Sequence, residues 1–78
     1  MSTEKIDWLV IIFSGATEAM RAEKLFTAQL LPGQIIPTPR SISSSCGLCW
    51  RTQADKDKFS EIIDKNLIGI EGYYQVSM

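Results

Sequence analysis

The sequence predicts a single small α+β domain, spanning residues 1–78, in which strands and helices follow the order β-α-β-β-α-β. Three observations support this fold class. Residues 8–13 form a continuous apolar run rich in β-branched side chains, two later segments show helical spacing, and the C-terminal segment alternates apolar with polar residues. A chain of 78 residues is long enough for one domain and too short for two.

The first strand is expected at residues 8–13. Because every position of this run is apolar, we predict a strand that is buried on both faces and central in the sheet. A helix over residues 16–30 follows, with Ser14 as its N-cap. Its apolar stripe consists of Ala19, Ala22, Phe26 and Leu30. The two alanines would let this helix lie close to the sheet.

The middle of the chain predicts a strand, a loop and a second strand. Pro32 and Gly33 end the helix, and residues 34–39 are extended but carry two prolines, which places them at a sheet edge. Residues 40–45 form a polar, serine-rich loop. Residues 47–51 are again extended, with Cys49 and Arg51 on the face opposite Leu48 and Trp50.

A second helix and a last strand complete the pattern. Residues 52–55 resemble a capping box that starts a helix, whose core-facing residues are expected to be Phe59, Ile62, Ile63 and Leu67. Residues 68–76 alternate as in a half-buried strand. The residues expected on its buried face are Ile68, Ile70, Gly72, Tyr74 and Val76.

This element order is that of the ferredoxin-like split βαβ plan, an antiparallel sheet with two helices on one face. The first strand is apolar on both faces, so the face without helices also needs a cover. A second copy of the chain is the simplest cover, which predicts a homodimer through the outer sheet face.

Composition excludes several classes of function. The chain has no histidine, eight basic and nine acidic residues, and no basic stripe of the kind that nucleic-acid binders carry. The six-residue apolar run is far shorter than the roughly 20 residues that cross a bilayer. The N-terminus does not resemble a signal peptide. We therefore expect a cytoplasmic protein that binds neither nucleic acid nor membrane and holds no cofactor.

Cys46 and Cys49 form a CxxC pair, which supports three chemistries. They are dithiol redox exchange, half of a zinc site, and acceptance of a transferred sulfur or selenium atom on one exposed thiolate. A zinc site needs four ligands, and this chain offers two cysteines and no histidine. In a fully extended strand, residues three apart are about 10 Å apart at their Cα atoms, whereas a disulfide needs about 7 Å or less. A turn at Gly47 would allow closure.

The single-thiol interpretation centres on Cys46, at the junction of the serine-rich loop and the strand. Backbone amides around Ser45, Cys46 and Gly47 can form a nest that favours an anion. Arg40 and Arg51 flank the segment and could lower the thiol pKa. Cys49 is a candidate helper thiol. The structural alternative is that either cysteine is a small buried hydrophobe.

Three motifs occur in order in the chain, at residues 19–25 (AMRAEKL), residues 37–40 (PTPR) and residues 43–48 (SSSCGL). They resemble those of the selenium/sulfur carrier-like family of small bacterial proteins, and the likeness extends over almost the whole chain. The resemblance implies a small α/β domain that passes sulfur or selenium as a persulfide or selenide on cysteine. It implies that Cys46 is the carrier thiol, with Gly47 as its turn partner and Arg40 as the nearby cation. Arg21 and Glu23 would be the helix pair of the first motif.

The function expected from the sequence is therefore a carrier rather than a turnover enzyme. Cys46 would accept sulfur or selenium from a donor protein such as a cysteine desulfurase and pass it to an acceptor. Two alternatives stay open at this point. One is a non-catalytic ligand-binding or regulatory module, which the apolar outer face fits, and the other is a dithiol redox switch.

Overall fold

The computed structural model of the protein describes residues 7–39, 42 and 47–77. The elements in chain order are β1 (Asp7–Phe13), α1 (Ala16–Ala28), β2 (Gln34–Pro37), β3 (Leu48–Thr52), α2 (Lys56–Lys65) and β4 (Ile70–Ser77). The strands form one sheet with the spatial order β2-β3-β1-β4, and every neighbouring pair is antiparallel. An α+β fold with a four-stranded antiparallel sheet and two helices is therefore confirmed.

Strand β1 occupies a central place in this sheet, between β3 and β4. Its residues from Leu9 to Phe13 are at most 5% exposed, so both faces of the strand are buried as its uninterrupted apolar sequence predicts. The short strand β2 forms one edge of the sheet, which agrees with the prolines in and after it.

The inner face of the sheet is the face on which both helices pack. Aromatic side chains dominate its centre. The ring of Phe26 meets the rings of Trp50 and Phe59 edge-on, at centroid distances of 5.0 and 4.9 Å. Ala19 and Ala22 of α1 are fully buried, as expected for a helix that lies close to the sheet. The buried inner-face cluster comprises Leu9, Ile11, Phe13, Ala19, Ala22, Phe26, Trp50, Phe59, Ile63 and Ile68.

The outer face of the sheet has a smaller core of its own. Val10, Ile12 and Cys49 have no exposed surface, although α1 and α2 both pack on the other face of the sheet. The partly buried residues that pack against them are Trp8, Ile36, Ile42 and Val76. Ile42 belongs to the connection between β2 and β3, so the chain itself supplies cover at these positions. The homodimer was predicted from an outer face without cover. It stays a prediction.

Both helices begin without the side-chain caps that the sequence predicts. The N-cap of α1 is Gly15 rather than Ser14, and the N-cap of α2 is Asp55, which makes no side-chain capping bond. The expected capping box at residues 52–55 is wrong. Thr52 is instead buried in β3, and its Oγ1 accepts a hydrogen bond from the Ala54 amide at 3.0 Å.

Both helices end in the same way, and this overturns two core predictions. Leu30 and Leu67 were expected in the core, but they are 90% and 83% exposed, with φ of 57° and 54°. In α1 the amide of Leu31 donates to Phe26 O and that of Leu30 to Thr27 O, which is the pattern of a Schellman motif. The left-handed residue turns its side chain outward, and Leu31 packs on the core instead.

The predicted face of the last strand is also only partly right. Ile70 and Tyr73 pack on the inner-face core, whereas Val76 packs on the outer-face core. The register with β1 shifts between Ile12 and Phe13, where an irregularity interrupts the alternation. Because one extra residue reverses the side-chain phase of a strand, strict alternation along residues 68–76 could not hold.

A polar contact ties the first turn of α1 to the connection between α2 and β4. Glu18 Oε1 accepts a hydrogen bond from the Gly69 amide at 2.7 Å. Arg21 donates to both carboxylate oxygens of Glu18 at 3.1 Å and to Asn66 O at 2.9 Å. Arg21 thus pairs with Glu18, while Glu23 of the predicted helix pair lies exposed on the same helix.

We expect Leu30→Gly to stabilise the protein by about 0.5 to 1 kcal/mol. A left-handed backbone costs an L-residue roughly 1 to 2 kcal/mol, and glycine avoids this cost. The larger conformational entropy of glycine in the unfolded chain offsets part of the gain in stability. The measurement is the urea midpoint, followed by circular dichroism. Leu31→Gly is the matched control and should lower the midpoint, because it removes a side chain that packs on the core. A lower midpoint for Leu30→Gly would contradict the strain argument.

We also expect the Glu18 contact to make stability depend on pH. The hydrogen bond from the Gly69 amide, followed by that from Arg21, lowers the pKa of Glu18 below its ordinary value of 4.5. The folded state therefore holds fewer protons on this group than the unfolded state between the two pKa values. The stabilisation is fully present above pH 4.5 and is lost as the pH falls through the folded pKa.

The measurement is the urea midpoint of the wild type and of Glu18→Gln across this acidic range. The difference between them should shrink as the pH falls. Glu23→Gln serves as the control, because it removes an exposed carboxylate from the same helix. A difference that stays constant with pH would disprove the linkage.

Candidate functional site

The predicted thiol site lies at the start of β3 and in the loop before it. Arg40, Ser45 and Cys46 fall outside the described residues, so their roles stay predictions. The structure describes the other three predicted site residues, Gly47, Cys49 and Arg51. They belong to the hairpin formed by β2 and β3.

Gly47 closes the loop end of this hairpin. Its carbonyl oxygen accepts a hydrogen bond from the Thr38 amide at 2.9 Å, one step beyond the last register pair, Pro37 and Leu48. The residue is exposed, and a Cβ added at Gly47 would meet no atom of the described residues within 4 Å. The hairpin thus holds the backbone of Gly47, which directly follows Cys46 in the sequence.

Cys49 lies in the outer-face core. It is opposite Ile12 of β1 and Ile36 of β2, and its exposed fraction is 0%. A thiol in this position cannot be reached by a partner protein unless the hairpin opens. Burial on the face opposite Trp50 agrees with the predicted alternation along β3. It also agrees with the structural interpretation of Cys49 as a small hydrophobic residue.

Arg51 lies toward the opposite end of the hairpin from Gly47. Arg51 is the fourth residue after Gly47 along an extended chain, which corresponds to about 13 Å between their Cα atoms. The Arg51 guanidinium carbon stands 4.3 Å from the centroid of the Trp8 ring, a cation–π contact on the outer face. Its Nε is buried, and no described residue forms a hydrogen bond with it. The sequence does not predict this stack, although Trp8 precedes the buried run and Arg51 shares the face of Cys49.

A search of the described residues for metal ligands finds no group of three or more histidine, cysteine, aspartate or glutamate side chains. The described helices are also too short or too polar to span a membrane.

A comparison with protein families decides the classification. Residues 8–75 match the model of the family described as "Putative Se/S carrier protein-like". The chain belongs to this family. The match includes the hairpin, the loop before β3 and both cysteines, so the predicted family resemblance is confirmed. Neither the curated proteins nor the solved structures contain a significant match.

We expect the Cys49 thiol to be protected in the native protein. In a Cys46→Ser variant, iodoacetamide should label Cys49 slowly without denaturant, and labelling should accelerate as urea unfolds the chain. Intact mass spectrometry over time gives the rate. The matched variant Cys49→Ser reports on the other thiol under the same conditions. Labelling of Cys49 in native buffer at the rate of a small free thiol would contradict its burial.

Proposed function

We propose that this protein is a sulfur or selenium carrier that uses Cys46 as its carrier thiol. Membership of the Se/S carrier-like family is the observation that carries the proposal. The position of the other cysteine supports it. The sequence has two cysteines, and since Cys49 is sealed in the outer-face core, Cys46 is the better candidate for contact with a donor or an acceptor.

The proposed reaction is a transfer without net oxidation. The Cys46 thiolate attacks the outer sulfur of a persulfide on the donor protein, the donor's S–S bond breaks, and the donor cysteine leaves as a thiolate. Cys46 then carries the persulfide, and an acceptor nucleophile takes the outer sulfur in the same way. Selenium would transfer by the corresponding attack on a selenium–sulfur bond. A cysteine desulfurase is the class of donor that supplies such a persulfide.

A chain without histidine must favour the thiolate by other means. We propose that backbone amides near Ser45 and Gly47 and the cation of Arg40 supply this stabilisation. Arg51, by contrast, is stacked on Trp8 far along β3, which favours a separate role for it. Cys49 would support the site by packing in the outer-face core and would take no part in the sulfur transfer.

We further propose that the domain follows the ferredoxin-like plan and acts in the cytoplasm. The element order, the sheet order β2-β3-β1-β4 and the packing of both helices on the inner face support that plan. The dithiol redox switch is the weaker alternative, because a resolving cysteine must be accessible and Cys49 is fully buried. The ligand-binding module is favoured by one observation, an open pocket of about 300 Å³ whose lining includes Trp8 and Arg51.

Incubation with a cysteine desulfurase and cysteine should add the mass of one sulfur atom to the wild-type chain. Cys46→Ser should abolish the addition, because it removes the attacking thiolate. Cys49→Ala should retain it, since the Cys49 thiol is fully buried. The measurement is intact mass before and after reduction, with circular dichroism to establish that each variant is folded. Undiminished loading of Cys46→Ser, or none on the wild type, would overturn the proposal.

A further inference from the structure

A second site lies on the outer face, at the end of the hairpin away from Gly47. It is an open pocket of about 300 Å³, at the lower limit of small-molecule sites. The lining residues come from β1, from the connection between α1 and β2, from the start of β2, from β3 and from the connection after β3. They are Trp8, Pro32, Gly33, Gln34, Arg51 and Gln53.

Arg51 is fixed in this pocket by the residues around it. Its guanidinium stacks on the Trp8 ring at 4.3 Å, and its backbone is registered between Val10 of β1 and Gln34 of β2. The Arg51 Nε–H is buried and has no hydrogen-bond partner among the described residues. A guanidinium held over an indole has less orientational freedom, which reduces the entropy lost when an anion binds.

The floor of the pocket depends on a close approach of two strands. Gly33 has a φ of 128°, and a Cβ there would lie 2.5 Å from the Arg51 carbonyl oxygen and 2.6 Å from Trp50 Nε1. The chain can therefore pass directly over β3 only because residue 33 is glycine. This approach brings Gln34 beside Arg51 and forms one wall of the pocket.

The charge and chemistry of the lining define the ligand. Among the described residues that line the pocket, Arg51 is the only charged one, and Gln34 and Gln53 add exposed amide donors. Such a site favours an anion that accepts paired hydrogen bonds from the guanidinium. The apolar edges of Trp8 and Pro32 favour an organic body over a bare inorganic ion. We propose that this pocket binds a small organic carboxylate through Arg51.

This site is independent of the proposed carrier function. It uses neither cysteine, and about 13 Å of extended strand separates Arg51 from Gly47. Binding would therefore persist in a chain whose carrier thiol has been removed, and the two proposals can fail separately.

The test is a titration of ¹⁵N-labelled protein with benzoate, acetate and phosphate at constant ionic strength, set with chloride. Benzoate should shift the Trp8 indole N–H and the Arg51 Nε–H signals saturably, more tightly than acetate or phosphate. Arg51→Lys keeps the charge but loses the fork, and we expect about tenfold weaker binding. Lys58→Gln removes an exposed cation from α2 and is the matched control, with no expected change.

Two further variants keep the outcome decisive. Gln53 is exposed, so Gln53→Glu should fold normally and weaken benzoate binding by placing a like charge at the pocket. Cys46→Ser should bind as the wild type does, which separates this site from the carrier proposal. Absence of a saturable shift, tighter binding of phosphate than of benzoate, or equal affinity in Gln53→Glu would each overturn the carboxylate site.

Discussion

The double-sided burial of β1 is the constraint on which the rest of this structure depends. A chain of 78 residues has little interior, and here one strand contributes to two cores at once. Leu9, Ile11 and Phe13 face the helices, while Val10 and Ile12 face the outer side. Each face needs its own cover. The helices supply one, and side chains of the strands themselves, together with Ile42 from a connection, supply the other.

The requirement for an outer cover connects the fold to the site. Ile42 packs on the outer-face core, and Gly47 is held by the Thr38 amide at the end of the hairpin. These two anchored positions stand on either side of residues 43–46, the segment that contains Cys46. The same packing explains Cys49, whose side chain fills the space between Ile12 and Ile36. One cysteine of the CxxC pair thus belongs to the core.

Sequence reasoning predicts most of this fold because its main signals are local. The apolar run of β1, the alanine and phenylalanine stripe of α1 and the edge strand with its prolines all have the predicted place. The failures occur where tertiary contacts override local preference. Leu30 and Leu67 lie on the apolar stripes by spacing, but each helix ends two residues earlier, and the leucine itself takes the left-handed conformation after the helix end. Glycine is the usual left-handed residue after a helix end. Because leucine stands there in both helices, the sequence lacks the residue that would mark the end of each helix.

The candidate site was predictable only in part, for a similar reason. The position of Cys46 follows from its motif, whereas the burial of Cys49 depends on residues from two other strands and a loop. The local sequence does not show whether Arg51 stabilises a thiolate or stacks on Trp8. Arg51 and Trp8 are 43 positions apart and meet only through the pairing of β1 with β3.

Strand β3 therefore presents two different chemistries at its two ends. Near Gly47 the hairpin ends in the loop that carries the thiol, and near Arg51 it presents a guanidinium stacked on an indole. The buried side chains of Cys49 and Trp50 lie between them on opposite faces of the sheet. A ligand at the Arg51 end would contact residues of β1, β2 and β3, whose pairing also positions Gly47. The two ends are therefore separate sites on one short hairpin, which is packed on both faces of the sheet.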